Sequence, residues 1–281
     1  MKKILQTEFI RLFKNKWFYI SIVIGIIIGA FLTIELLISD SKSNYEIEKY
    51  GMIQGLLYYP STIFNSALGF NFDKSESKIL YMIFPLLSVI SYSYIYTLDI
   101  KTGYIKNILI SVKRRDYYNS KFIVSFLSGF LTCGIILFGS LLISMCFFPC
   151  LKPEIVTANY AISEGDMFFN LFYSHPMIYL IIYYLIDMWY CGIFSVLSLA
   201  ISRITNKIFV VITGSFIFFT ALDYVLCSFH LVRFSPFQFL QPSQMSKMYA
   251  PFNIYIILTE AIFFTLISYI IFMWRKNNDI L

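Results

Sequence analysis

Four acidic residues stand inside long apolar runs of the sequence: Glu35, Asp187, Asp223 and Glu260. A charge at mid-bilayer costs about 2.5–3.5 kcal/mol on insertion scales, so such a residue faces a cavity, a partner or the membrane surface. Counted along their helices, Glu35, Asp223 and Glu260 fall toward one end, and only Asp187, within YYLIDMWY, falls near the middle. They read either as a polar lining for a transported solute, or as three acids reaching the interface and one hydrogen-bonded aspartate. Intramembrane proteolysis would need a paired-carboxylate pattern such as GxGD or EExxxR, and neither occurs.

Other chemistry is sparse. None of the twelve glycines opens a GxxxxGK[ST] phosphate loop, so the chain has no such device for ATP. There is no HExxH, and the two histidines, His175 and His230, sit at helix ends and read as polar interfacial residues. Of the five cysteines, Cys133, Cys191 and Cys227 lie in apolar runs. Cys146 and Cys150 are four apart without a nearby His or carboxylate, so neither a disulfide framework nor a metal site is expected. The sequence therefore predicts no catalytic, cofactor or metal residues.

The elements that carry these residues are membrane helices. The chain is 58% hydrophobic and only 14% charged, where a soluble domain is about a quarter charged. That predicts an all-α polytopic membrane protein, one transmembrane domain over residues 1–281. Spans are expected at about 17–38, 79–98, 122–148, 176–202, 208–228 and 253–274, each near the length that crosses roughly 30 Å of hydrocarbon. The first apolar run is too long for a signal peptide and lacks a small-x-small cleavage site, so it should stay as a helix. With the N-terminus inside, 15 of the 22 Lys and Arg residues fall on the inner side and seven in the longer outer loops. The positive-inside rule then puts both termini in the cytoplasm. Abundant Ile, Phe, Tyr, Lys and Asn suits an AT-rich bacterial genome, hence a bacterial cytoplasmic membrane. The net charge of +6 is spread between apolar runs, which excludes a dense nucleic-acid surface.

Residues 1–16 place Ile4, Leu5, Phe9, Leu12 and Phe13 on one arc and most of their basic residues opposite, which predicts an interfacial helix on anionic lipid. Glu8 falls inside the apolar arc and spoils it. Two stretches are greasy but broken: Gly51 to Phe70, read as an outer helix or hairpin, and Phe229 to Phe252, broken by Pro236, Pro242 and Pro251 and read as a re-entrant or interfacial pair before the last span.

The most polar stretch between spans is 99–121, DIKTGYIKNILISVKRRDYYNSK, with six basic residues and two acids. Tyr104, Ile105, Ile108, Leu109 and Val112 recur on one face of a short helix. Charge counting places this loop in the cytoplasm, where such a face can bury itself in another protein.

Together these features resemble the permease subunit of an ATP-binding-cassette transporter of the type-2 exporter class. In that family the second span runs into an acid, three residues and a Gly, then an apolar pattern and an Arg followed seven residues later by a Lys. Asp99 and Gly103 keep the first spacing, Arg114 and Lys121 the second, and Tyr117 stands where an aromatic is usual. The chain departs in having Ser111 where a Pro is common, Asp99 in place of Glu, and Arg115 beside Arg114. The resemblance implies a coupling helix that docks its Tyr104 to Val112 face in a separate ATPase subunit, with Lys106, Lys113 and Arg114 against acidic residues at the rim. It also implies a pair of ATPase subunits that hold the ATP and Mg, and a second permease, as a homodimer or a sister chain. An amphipathic cargo, such as an antimicrobial peptide or drug, fits the aromatic spans. Two alternatives stay open: an immunity or scaffold protein with no transport cycle, and, less favoured, an intramembrane hydrolase.

Overall fold

The computed structural model describes residues 2–50, 61–70, 75–154, 162, 165–243 and 252–274. In chain order its helices are α1 (Lys2–Lys14), α2 (Lys16–Tyr50), α3 (Ile63–Ser66), α4 (Ser75–Ile90), α5 (Ile95–Lys101), α6 (Tyr104–Ser111), α7 (Arg114–Phe147), α8 (Phe169–Ser174), α9 (Pro176–Ile201), α10 (Ile208–Ser228), α11 (Pro236–Phe239) and α12 (Ile254–Trp274). The described residues hold no strand. Six helical segments are long and apolar enough to cross a membrane: α2, the α4–α5 pair, α7, α9, α10 and α12. The chain is therefore read as a multi-pass membrane protein.

The last three spans begin and end within a residue or so of their expected bounds. The first three do not. Helix α2 runs 35 residues, about 52 Å at about 1.5 Å per residue, and so continues well past Ile38. Helix α7 starts at Arg114, eight residues before the expected span, with Asp116 in its first turn where the helix dipole favours a negative charge. The second span is not one helix: it unwinds at Ser91–Tyr94. Pro85 removes an N–H from the ladder, the Ser88 hydroxyl donates to the Pro85 carbonyl (3.0 Å) and the Ser91 hydroxyl to the Ser88 carbonyl (2.6 Å). Such side-chain bonds compete with the helical pattern.

The core is the α7–α9 pair, where Ser125, Ser128 and Gly129 of one helix face Cys191 and Ser195 of the other. Ser93, from the unwound turn, joins them through Ser125 (2.9 Å) and Ser195 (2.6 Å). Small residues let helix backbones approach, and packing and hydrogen bonds drive association where lipid removes the hydrophobic force. Gly25 and Gly29 do the same for α2 against Ile136 and Ser140 of α7. By contrast α10 and α12 bury only 17% and 28% of their apolar windows, so both need an apolar surrounding. Phe209, Tyr224 and Tyr255 are each more than 70% exposed.

At the end of the bundle away from α1, α3 and α11 form short plugs. Ser243 donates through its N–H (3.1 Å) and hydroxyl (2.8 Å) to the Gly69 carbonyl, tying the two broken stretches together. Residues 51–60 and 244–251, which those two expectations also cover, lie outside the described residues.

Candidate functional site

The loop 99–121 folds as the end of α5, a glycine corner, α6, a two-residue turn and the start of α7. Gly103 closes α5 at φ +71 with no atom within 4 Å of where a Cβ would stand. Its role is thus backbone conformation alone, the left-handed position that commonly ends a helix. Val112 and Lys113 are extended and turn the chain into α7.

Two buried clusters fix this loop to the rest of the molecule. The first is ionic. Lys121 is completely buried, and its ammonium donates to Glu8 Oε2 (2.8 Å) and the Tyr92 hydroxyl (3.3 Å) and pairs with Asp99 Oδ2 (2.7 Å). That uses all three of its donors. Arg11 clamps Asp99 through two bonds, Nη2 to Oδ1 (2.5 Å) and Nη1 to Oδ2 (3.1 Å), and reaches Glu8 at 3.2 Å. Tyr117 donates to Asp99 (3.1 Å) and Tyr92 to Glu8. Two acids face two cations, so the cluster carries no net charge. Burial alone would disfavour the Arg11 charge, but the hydrogen bond and charge of Asp99, with the charge of Glu8, outweigh it and raise its pKa above the ordinary value. Glu8, which spoiled the apolar arc of α1, is thus an inward-facing member of an Ile4, Glu8, Leu12 stripe.

The second cluster is aromatic. Ile105 of α6 is buried with Ile4, Tyr96, Tyr117, Tyr118, Leu199 and Phe272, and Ile108, Leu109 and Val112 pack half-buried against the same group. Arg203, just past the end of α9, lies over the Tyr118 ring (5.0 Å) and beside Tyr96 and Phe272 (5.7 Å each), and donates to the Tyr96 hydroxyl. Cation–π contacts of this kind are worth up to about 2 kcal/mol when desolvated. Tyr104 is half-buried under Arg11, whose guanidinium carbon stands 4.5 Å from the ring centre.

The structure thus divides the residues expected to form a coupling element in two. Asp99, Ile105, Tyr117 and Lys121 are buried in the chain's own clusters, with Tyr104, Ile108, Leu109 and Val112 partly so; Lys106, Lys113 and Arg114 are exposed, together with Ile110, 87% exposed. Glu8, Arg11 and Tyr92 are members of the ionic cluster that sequence reasoning did not assign. A second tie comes from Asn15, between α1 and α2, whose side chain donates to the Ser91 carbonyl (2.9 Å) and accepts from Tyr94 (3.3 Å). It satisfies a carbonyl that the unwound turn releases.

The four intramembrane acids have separate surroundings. Asp187 is 1% exposed on α9 and accepts one bond, from the Tyr81 hydroxyl (2.8 Å); its Oδ1 is buried without a partner among the described residues. Asp223 accepts from Ser235, Gln238 (3.3 Å) and Cys227 (3.7 Å), all on Oδ1. Glu260 keeps one enclosed oxygen without a partner among the described residues, and Glu35 is half-buried on α2. Asp187→Asn, which can still accept from Tyr81, is expected to leave the thermal midpoint unchanged or raise it. Asp187→Leu strands the Tyr81 hydroxyl and is expected to cost about 1–3 kcal/mol. Equal losses in a thermal unfolding assay would show that the ionised carboxylate itself is needed. Among the described residues no group of three or more His, Cys, Asp and Glu could hold a metal ion.

Comparison with protein-family models, curated proteins and solved structures finds no match to this chain.

Proposed function

We propose that this chain is the permease subunit of an ATP-driven exporter, in which α6 receives the push of a separate pair of ATPase subunits that carry the ATP and Mg. The observation that supports it most is mechanical. Helix α6 exposes Ile110 and Lys106, and the exposed Lys113 and Arg114 follow it into α7, while Ile105, Ile108 and Leu109 on its opposite face join a cluster with residues of α1, α5, α7, α9 and α12. A force on such a helix reaches that cluster, which is what a rigid coupling element requires. In this reading α1 lies at the cytoplasmic membrane surface, both termini are cytoplasmic, a second permease completes the path, and an amphipathic solute such as a peptide or drug moves outward. Asp187, Glu35, Asp223 and Glu260 are the acids such a path would meet.

The packing also selects the test. Substituting Ile108 or Leu109 would disturb the chain's own core, whereas Ile110 touches little of it. Burying an Ile side chain is worth about 1.5–3 kcal/mol, so Ile110→Asp should weaken ATPase association by at least about tenfold while the permease still inserts and elutes as a single species. The tagged full chain, purified from the cells that make it, is expected to bring down an ATPase with a phosphate-binding loop, and Ile110→Asp to lose it. A complex that survives Ile110→Asp, or no ATPase at all, rejects the coupling role.

A further inference from the structure

The corner where α1 meets α2 has a fixed shape and one sign of charge. Asn15 separates the two helices; its side-chain oxygen accepts from the Trp17 N–H (3.2 Å), and the Tyr19 hydroxyl donates to the Phe13 carbonyl (3.0 Å). Lys14 and Lys16 stand on either side of Asn15, both exposed, and Lys2 and Lys3 are exposed at the other end of α1. The one acid in residues 2–20, Glu8, is buried and, with Arg11, tied into the ionic cluster. The outer surface of α1 and its corner therefore holds four lysines and no acid. None of the four has an ion-pair partner among the described residues. The apolar part of this surface is not the arc of Ile4 and Leu12, which is buried against the bundle, but Ile10, Phe13 and Trp17, each about half exposed.

The position of the corner decides what meets it. Lys16 opens a membrane span, so the corner stands where hydrocarbon gives way to headgroups, the level at which Trp and Tyr gather. The exposed apolar stripe does not stop there: Ile20, Ile24 and Ile27, at helical spacing on the same face as Trp17, carry it along α2 into the hydrocarbon. A soluble partner could cover the lysines but not that continuation, whereas a lipid covers both. We propose that the α1–α2 corner is a binding site for anionic phospholipid, its headgroup phosphate on Lys14 and Lys16 and its acyl chain along Trp17, Ile20 and Ile24. Each lysine at a membrane surface is worth about fivefold in attraction to anionic lipid, and a lipid of no net charge gains no such preference. The site requires only that the chain spans a membrane, and it does not depend on the transport reading.

The test reads the lipid beside Trp17 directly. The chain has three tryptophans, so Trp189→Phe with Trp274→Phe leaves Trp17 as the only one in the full chain. That protein is reconstituted in vesicles of phosphatidylcholine and phosphatidylglycerol in equal parts, with brominated acyl chains on one lipid or the other, and Trp17 fluorescence is measured. Brominated phosphatidylglycerol is expected to quench Trp17 at least about twofold more than brominated phosphatidylcholine. Adding Lys14→Gln and Lys16→Gln should remove the excess, and Lys14→Arg with Lys16→Arg should keep it. Molar salt, which shortens the screening length to about 3 Å, should also remove it and serves where the glutamine variant fails to reconstitute. Equal quenching by the two lipids, or an excess that survives either the glutamine replacements or molar salt, would overturn the proposal. Quenching by neither lipid would do so too, by placing protein over the corner.

Discussion

Lys121→Met is expected to lower the thermal midpoint of the detergent-solubilised protein by about 10 °C. Removing one partner of a buried ion pair costs about 3–5 kcal/mol because the other charge is left uncompensated, and for a domain of 150–250 residues each kcal/mol shifts the midpoint by roughly 2–4 °C. Lys121 is completely buried and shared between Glu8 and Asp99, which are themselves buried. Without it, two carboxylates would divide the single cation Arg11. The double replacement Glu8→Gln with Lys121→Met leaves Arg11 facing Asp99 alone, a balanced pair, and should lose less than Lys121→Met does by itself. Contacting residues couple in this non-additive way. Arg115→Ala, on an exposed position of the same stretch, should leave the midpoint where it was. A Lys121→Met protein that melts with the wild type, or a double variant that loses the sum of its parts, would remove the ionic cluster from the account of stability.

The second large effect is expected at Gly129→Ala. A Cβ there would stand 2.3 Å from the carbonyl oxygen of Cys191 and 2.9 Å from the Ser195 Cβ. The first obstacle is backbone, which cannot swing away, so α7 and α9 must separate along the seam that forms the core. Overpacking costs about 1–3 kcal/mol where side chains can adjust, and this site lies at or beyond the upper end. Gly134→Ala is the control one and a half turns farther on: its Cβ meets the terminal methyl of Met188 at 2.5 Å, the far end of a flexible side chain that can turn aside. Gel filtration with thermal unfolding should show Gly129→Ala depleted in folded protein and Gly134→Ala nearly unaffected. Equal tolerance of the two would mean that the helices are not in backbone contact at Gly129.

The spans were legible because a helix that faces lipid must be apolar along its length, and that condition is written locally. The bounds of the last three spans followed from it directly. What sequence could not assign was the destination of a face. The stripe of Ile105, Ile108, Leu109 and Val112 announces that one side of α6 is covered, but amphipathicity is silent on whether the cover is a partner or the same chain, and here much of it is the same chain. Glu8 was visible only as a flaw in a pattern, since its counter-ion Lys121 is 113 residues away. The interruption at Ser91–Tyr94 did leave a local trace, Pro85 followed by Ser88, Ser91 and Ser93 in an otherwise apolar run. Those signals mark a break in the span yet not that Asn15, from another helix junction, would donate to the carbonyl it releases.

The wide sequence separation within the ionic cluster also bears on how the protein is made. Translation delivers Glu8 and Arg11 first, Asp99 some ninety residues later and Lys121 last, after two spans have left the ribosome. Until the start of α7 emerges, the two acids share one arginine, and α1 has only part of the surface on which Ile4, Glu8 and Leu12 come to rest. The N-terminal helix can therefore complete its contacts only after the first turns of the third span have been made.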